Sequence, residues 1–119
     1  MDAENVKSQM RKGMLEYCVL LLLHKESLYV SDILSRLKEA KLIVVEGTLY
    51  PLLTRLKNDG ILTYEWQEST QGPPRKYYRL TDEGCTMLAQ IETAWNDIVN
   101  TVNHIKGDTG DKEFKQDNN

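Results

Sequence analysis

The clearest hydrophobic pattern lies near the C-terminal end of the chain. Six apolar side chains recur there at alternating steps of three and four residues: Leu88, Ile91, Trp95, Ile98, Val102 and Ile105. This spacing predicts one long helix with an a/d heptad seam along one side. Because little apolar surface remains elsewhere in the chain to receive that seam, we predict a homodimer formed through this helix.

The first half of the chain predicts two helices before a third, more informative one. The first spans about residues 6–25, and its apolar stripe widens until it nearly surrounds the helix. Such a helix needs cover on all sides, so we expect it to be central and partly covered by a second subunit. The second spans about residues 29–40, with Ser27 or Ser31 as alternative N-caps. Sequence alone leaves that choice open.

A third helix is predicted over about residues 47–58. Its inward stripe has the i, i+3, i+4, i+7 spacing of an amphipathic helix and consists of Leu49, Leu52, Leu53 and Leu56. We expect Thr48 to be the N-cap, which places Pro51 in the first turn, where a missing amide proton does no harm. Gly60 suits the left-handed position after the helix.

Two alternating segments follow the third helix. Residues 62–67 and 75–80 alternate apolar or aromatic side chains with polar ones, which is typical of half-buried strands. Residues 68–74 separate them and include Gly72 and two prolines. We therefore predict a β-hairpin with an extended tip rather than a two-residue turn.

The order of these elements predicts the fold class. Three helices, a hairpin and a long last helix capped by Thr81 indicate a mainly α protein with a small β wing, a winged helix-turn-helix followed by a dimerisation helix. The expected organisation is a winged helix-turn-helix domain at 1–81, the dimerisation helix at 82–106 and a disordered tail at 107–119, where charges and amides dominate.

The outward face of the third helix favours contact with nucleic acid. Opposite the leucines lie Tyr50, Pro51, Thr54, Arg55 and Asn58. Arginine, threonine and asparagine side chains can reach base edges or phosphates. The acids Glu46 and Asp59 lie at the two ends of the helix, where they obstruct a groove least.

The hairpin carries a second basic group. Arg75 and Lys76 follow the proline-containing tip, and Gln71 can donate a hydrogen bond to a phosphate. Prolines stiffen such a tip and lower the entropy lost when it docks. Basic residues at a turn are common, so this signal gains weight only beside the helix before it.

Charge is distributed unevenly along the chain. Its 119 residues have a net charge of −3, but residues 1–81 contain 12 Lys and Arg against 10 Asp and Glu. Residues 82–119 contain 3 against 8. The acidic excess therefore lies in the C-terminal third, and the first two thirds can still present a basic surface to phosphate.

Other classes of protein are disfavoured. His24 and His104 lie on different predicted elements, and neither a nucleophile–base arrangement nor a phosphate loop is apparent, so we expect neither an enzyme nor a bound metal or cofactor. The apolar run at 17–23 is too short for a membrane span. Two cysteines, Cys18 and Cys85, form no disulfide framework; structural thiols are favoured over a redox switch, and a cytoplasmic location is expected.

Two motifs resemble a known family. Residues 47–56, GTLYPLLTRL, are similar to the recognition-helix signature of PadR transcriptional regulators. Residues 72–81, GPPRKYYRLT, with Gly84 after them, resemble that family's wing and the start of its last helix. The resemblance extends over about residues 8–105.

The resemblance implies a homodimer that represses a nearby operon or its own gene. In such a dimer the last helix packs against the first and last helices of the other subunit. The positions expected to contact double-stranded operator DNA are Tyr29, Thr48, Tyr50, Pro51, Thr54, Arg55, Arg75 and Lys76. Members often begin the second helix with His/Tyr-Gly-Tyr; Tyr29 fits, but Val30 and Ser31 depart from the pattern.

The resemblance also implies a ligand site. Some members bind planar aromatic or cationic molecules in a cleft at the dimer centre, where a tryptophan of the last helix stacks on the ligand. Trp95 matches that position, and Met10 and Tyr17 match positions lining the cleft. Glu16 could favour a cation there. Trp95 also falls on the heptad seam, where an aromatic side chain more often packs within the dimer, so packing is favoured over the ligand site.

A winged helix that docks another protein, without specific DNA binding, is the alternative function. It predicts that the outward face of the third helix has no enrichment in side chains that can contact DNA, and that the protein has no salt-dependent affinity for DNA. The residues of that face argue against it.

Overall fold

A computed structural model describes residues 2–107 of the chain. The elements are α1 (Ala3–Lys25), α2 (Val30–Glu39), α3 (Glu46–Asn58), β1 (Leu62–Ser69), β2 (Gly72–Leu80) and α4 (Asp82–Ile105). This order confirms the mainly helical fold with a two-stranded wing and a long last helix. Beyond residue 107, the predicted disordered tail lies outside the described residues. No helix within 2–107 is long and apolar enough to cross a membrane.

The chain divides into two compact units, Met1–Leu88 and Ala89–Asn119. In the first, α1, α2, α3 and the wing enclose one hydrophobic core, whose largest fully buried side chains are Val19, Leu20, Ile33, Leu49, Leu53, Leu56 and Leu62. The inward stripe of α3 supplies three of these, as its spacing predicts. Burial of such side chains is the main force that holds the unit together.

α1 keeps an exposed apolar side. It begins at Ala3, where the Asp2 side chain accepts a hydrogen bond of 3.0 Å from the amide of Glu4. Within the described residues of this chain Met10 and Leu21 remain exposed, so the chain alone does not cover the helix on all sides. An exposed apolar side of this kind is a surface that another chain can cover.

The predicted caps of α2 and α3 are wrong. Tyr29 occupies the N-cap of α2 and Val45 that of α3, and neither side chain makes a capping bond. Thr48 is instead the third residue of α3, and Pro51 lies in the second turn. Because proline has no N–H, the carbonyl of residue 47 receives no bond from it. Residue 47 is exposed, so water can satisfy that carbonyl.

The hairpin is tighter than predicted. The strands pair antiparallel from Leu62 opposite Leu80 to Ser69 opposite Gly72, which leaves a two-residue tip and contradicts the extended tip. The register shifts by one residue between Gln67 and Ser69, beside the two prolines. Prolines lack the ladder donor, and a bulge in a short edge pair accommodates them.

A short third bridge anchors β2. The amide of Leu28 donates to the carbonyl of Tyr78 at 3.1 Å, and the amide of Tyr78 donates to the carbonyl of Leu28 at 2.8 Å. The segment between α1 and α2 is therefore fixed to the wing. This bridge places the start of α2 beside the strand that carries the wing's basic residues.

Thr81 and Gly84 lock the base of the wing to the start of α4. The Thr81 hydroxyl donates to the carbonyls of Gly60 and Ile61 and accepts from the amide of Gly84 at 2.9 Å, which confirms Thr81 as the cap. A Cβ atom at Gly84 would collide with the carbonyl oxygen of Ile61. Gly60 has a φ of 80°, the left-handed conformation expected after α3.

Candidate nucleic-acid interface

The outward face of α3 is open to solvent. Thr48, Tyr50, Pro51, Thr54, Arg55 and Asn58 are all exposed, whereas Leu49, Leu53 and Leu56 on the opposite side are buried. The helix therefore presents the predicted residues on one surface. This geometry suits insertion into a groove of a nucleic-acid duplex.

The basic residues of the wing lie over aromatic rings. The guanidinium of Arg75 is 4.5 Å from the ring centroid of Tyr29. The ammonium of Lys76 is 4.6 Å from the centroid of Tyr64 and 5.5 Å from that of Trp66. An aromatic ring attracts a cation without neutralising it. Both cationic groups therefore lie against aromatic rings and not against carboxylates.

A cavity of about 300 Å³ lies between the start of α2, α3 and the wing. Its lining includes Tyr29, Tyr50, Trp66, Pro74, Arg75 and Lys76. The lining consists of aromatic and apolar side chains and two cationic ones, and no carboxylate is among the lining residues. Such a wall suits an anionic group that is bonded to an apolar one, as in the sugar-phosphate backbone of DNA.

Most arginines of the described chain lie within ion-pair distance of a carboxylate, whereas Arg75 and Lys76 of the wing do not. Arg36 pairs with Glu26 at 2.9 Å, and Arg79 lies 3.9 Å from Glu65. By contrast, Lys57, Arg75 and Lys76 have no acidic partner within ion-pair distance among residues 2–107. The unneutralised positive charge on α3 and the wing is concentrated between the two elements, where Lys57 and Lys76 both approach Tyr64.

Arg55 differs from the wing cations. One of its Nη atoms donates to Oε1 of Glu16 at 2.8 Å, and the other lies 3.9 Å from Oδ2 of Asp59. The hydrogen bond to Glu16, followed by the charge of Glu16 itself, raises the pKa of Arg55 above its ordinary value. This predicted DNA contact is therefore occupied by carboxylates in the free protein.

Three further residues lie at this surface and are not among the residues predicted from the sequence: Lys57, Tyr64 and Trp66. The alternation of Trp66 with polar neighbours predicts the inner face of the hairpin, but the strand extends beyond the core and leaves 62% of the residue exposed. Lys57 could have been found from the sequence, because a basic residue in the last turn of α3, away from the leucine stripe, is expected to be exposed. Gln71 lies at the exposed two-residue tip of the wing and not in the longer turn that was predicted.

The predicted dimer and ligand residues are divided between the two units. In the first unit, Leu88 is buried and serves the chain's own core. Met10 is exposed on α1, and Tyr17, two turns further along the same helix, is half-buried. In the second unit Ile91 is half-buried, and the rest of the seam, Trp95, Ile98, Val102 and Ile105, is exposed.

A larger apolar groove of about 500 Å³ lies between α1 and α2. Met14, Cys18, Leu21, Leu37 and Leu42 line it. Burial raises the pKa of the Cys18 thiol, so this cysteine is a poor nucleophile at neutral pH. Both cysteines are free thiols.

The helices, the bridged wing and the cationic surface define a winged-helix domain of the nucleic-acid-binding class. A sequence profile of the transcriptional regulator PadR-like family matches residues 19–90. The chain belongs to this PadR-like family. Its members are transcriptional regulators, not enzymes, and this protein is accordingly a transcriptional regulator of the DNA-binding class.

Solved structures agree with this assignment. A PadR-like transcription factor from Bacteroides fragilis is 71% identical, with 85% of this chain and 98% of that chain covered and a TM-score of 0.73. A PadR family regulator from Eggerthella lenta is 33% identical, with coverage of 86% and 89% and a TM-score of 0.80. Bacillus subtilis PadR, solved in complex with operator DNA, is 31% identical, with coverage of 65% and 44% and a TM-score of 0.60.

Proposed function

We propose that the protein is a homodimeric repressor that binds operator DNA upstream of its own gene or a nearby operon. The observation that carries this proposal is the cluster of cations between α3 and the wing that have no acidic partners among residues 2–107. Phosphate neutralisation supplies most of the affinity of such interfaces. The operator complex of the Bacillus subtilis relative supports the choice of DNA as partner.

In the proposed complex the outward face of α3 enters the major groove. Thr54, Arg55 and Asn58 are the candidates for base edges, and Thr48, Tyr50 and Pro51 lie towards the start of the helix. The wing supplies Arg75 and Lys76 to the backbone, with Gln71 at the tip, and Tyr29 supports Arg75 from the start of α2. We also include Trp66 and Lys57 among the candidate backbone contacts, because Trp66 lies beside Lys76 and Lys57 approaches Tyr64 on the same surface.

The dimer is proposed to form through the half-buried Ile91 and the exposed seam positions of α4 from Trp95 to Ile105, together with the exposed side of α1. Several large apolar side chains would otherwise remain in water, which is unfavourable by roughly 25 cal/mol for each Å². A dimer also matches the two-fold symmetry of bacterial operators.

Fluorescence anisotropy tests the proposal. The protein is titrated into labelled DNA from immediately upstream of its gene and into a scrambled duplex of the same composition. We expect a preference of about 10³-fold or more for the upstream DNA. Equal, weak binding to both would remove that target and direct the search to duplexes selected from random sequence. No binding to either at low salt would favour the protein-docking alternative.

Release by a small hydrophobic or aromatic ligand is a further part of the proposal. Trp95, Met10 and Tyr17 are its candidate residues, on the resemblance alone. The test uses a Trp66→Phe variant, in which Trp95 is the remaining tryptophan, titrated with anilinonaphthalene sulfonate. Saturable quenching at one site per dimer, together with weaker operator binding, supports a ligand site. Unchanged fluorescence supports packing as the role of Trp95.

A further inference from the structure

Arg55 connects the outward face of α3 to α1. Glu16 and Arg55 are 39 residues apart in sequence, yet their side chains form one of the shortest ion pairs in the described part of the chain, 2.8 Å between Nη2 and Oε1. Asp59 approaches the same guanidinium from the end of α3. The Arg55 side chain is 54% exposed and that of Glu16 is 35% exposed, so the pair is accessible from solvent.

The charges around Arg55 oppose DNA binding. One guanidinium beside two carboxylates gives a local net charge of −1 around Arg55, whose own helix face would meet phosphates. While Nη2 of Arg55 donates to Glu16, fewer of the five N–H groups of the guanidinium are available to DNA. Exposed pairs of this kind contribute little stability, so a ligand of good geometry can displace the carboxylate. A bidentate contact to a guanine or a well-placed phosphate has such geometry, and a randomly placed phosphate does not.

We propose that Glu16 is a specificity-determining residue that competes with DNA for Arg55. In complexes with unrelated DNA, Arg55 stays on Glu16, and the two carboxylates repel the backbone. In the operator complex, the DNA takes Arg55 from Glu16. This inference rests on the proposed function and adds a residue on α1, outside the DNA-facing elements, that sets the difference between the two affinities.

The test is Glu16→Gln in the full chain, because glutamine keeps the shape and an acceptor oxygen but removes the charge. We expect the affinity for a scrambled duplex to rise about three- to tenfold and its dependence on salt to steepen by about 0.9 in the log–log slope for each Arg55 that gains a phosphate. The affinity for the preferred duplex, taken from upstream DNA or random-sequence selection, rises less. The ratio of the two affinities therefore falls.

A matched control is available elsewhere on the surface. Glu26 accepts a hydrogen bond of 2.9 Å from Arg36, with side-chain exposures of 51% and 41%. Glu26→Gln removes the same charge and the same kind of pair, and we expect it to leave the affinity ratio unchanged. In an Arg55→Ala background, Glu16→Gln should no longer steepen the salt dependence of binding to the scrambled duplex, because there is no Arg55 side chain left to gain a phosphate.

Two outcomes of these measurements would contradict the competition between Glu16 and DNA. If Glu16→Gln weakens binding to the preferred duplex and leaves the scrambled duplex unchanged, Glu16 orients Arg55 and does not compete for it. If Glu26→Gln changes the ratio equally, only net charge matters. Either result overturns the proposal. If Glu16→Gln proves unfolded by circular dichroism, Asp59→Asn takes its place: a smaller rise in the same direction supports the proposal, and no rise overturns it.

The proposed function and the competition for Arg55 fail differently. A wild-type protein that binds neither duplex would refute the proposed function, and the competition with it. A wild-type protein that prefers one duplex, beside a Glu16→Gln variant with the same preference, would refute the competition alone.

Discussion

At the scale of single residues, Arg55 and Arg75 carry the same side chain in opposite surroundings. Arg75 lies on the ring of Tyr29, without an acidic partner among the described residues, and is ready for a phosphate. Arg55 is held by Glu16 and Asp59. Sequence reasoning assigns both to the same class because a set of basic residues contains no information about which carboxylates fold towards them.

Trp66 is the residue whose proposed role is most accessible to measurement. In a Trp95→Phe variant it is the remaining tryptophan. Because Trp66 lies beside Lys76 on the surface proposed to meet the backbone, saturating DNA should shield it and lower its quenching by acrylamide. The Trp66→Phe variant, which reports Trp95, is the control and should show no shielding. Equal quenching of Trp66 with and without DNA would place it outside the interface.

At the scale of elements, hydrophobic spacing was sufficient to predict the type and order of the helices and strands. The leucine stripe of α3 and the alternation of the wing are both present, because burial of one face dominates each element. The ends were less predictable. Val45 replaces Thr48 as the cap of α3, since the chain enters that helix from an extended segment and the Val45 carbonyl accepts from the amides of Thr48 and Leu49.

For the candidate site too, the sequence predicted the local features but not their arrangement in space. The exposed face of α3 and the two wing cations follow from local patterns, but the cavity between them does not. That cavity depends on the Leu28–Tyr78 bridge, which brings the start of α2 to the wing, and on strands that continue to a two-residue tip. Pairing between segments 50 residues apart leaves no periodic trace in the sequence.

The junction between the wing and α4 provides a prediction about stability. Gly84→Ala should lower the free energy of unfolding by about 1–3 kcal/mol, because the added methyl group meets the backbone of Ile61. Gly13→Ala in α1 is the matched control: nothing lies within 4 Å of an added Cβ, and the substitution should raise stability by about 0.5–1 kcal/mol. Urea unfolding of both variants provides the comparison. A neutral Gly84→Ala would show that the junction adapts.

At the scale of the whole molecule, the exposed seam of α4 predicts self-association. Ile98 is 57% exposed, and a charge at this position would be buried without a partner in a dimer. Ile98→Glu should weaken dimerisation by about 100-fold or more, given the cost of burying an unpaired carboxylate. Asn100→Glu adds the same charge at an exposed α4 position off the seam and should leave the dimer intact.

Analytical ultracentrifugation distinguishes the outcomes. Wild type and Asn100→Glu should sediment as dimers at micromolar concentration, and Ile98→Glu as a monomer. A wild-type monomer under these conditions would exclude the proposed seam, and a dimeric Ile98→Glu would transfer the interface to another surface, with the exposed side of α1 as the next candidate.

Binding of DNA is expected to depend on the cations between α3 and the wing and not on the protein's overall charge. An Arg75→Ala/Lys76→Ala variant is therefore compared with a Lys25→Ala/Lys38→Ala variant of the same net charge, by the salt dependence of binding to the preferred duplex. In the wing variant alone we expect a large drop in affinity and a log–log slope that is shallower by about 0.9 for each phosphate that is no longer neutralised. Equal slopes and affinities for the two variants would show that overall charge, and not this cluster of cations, determines binding.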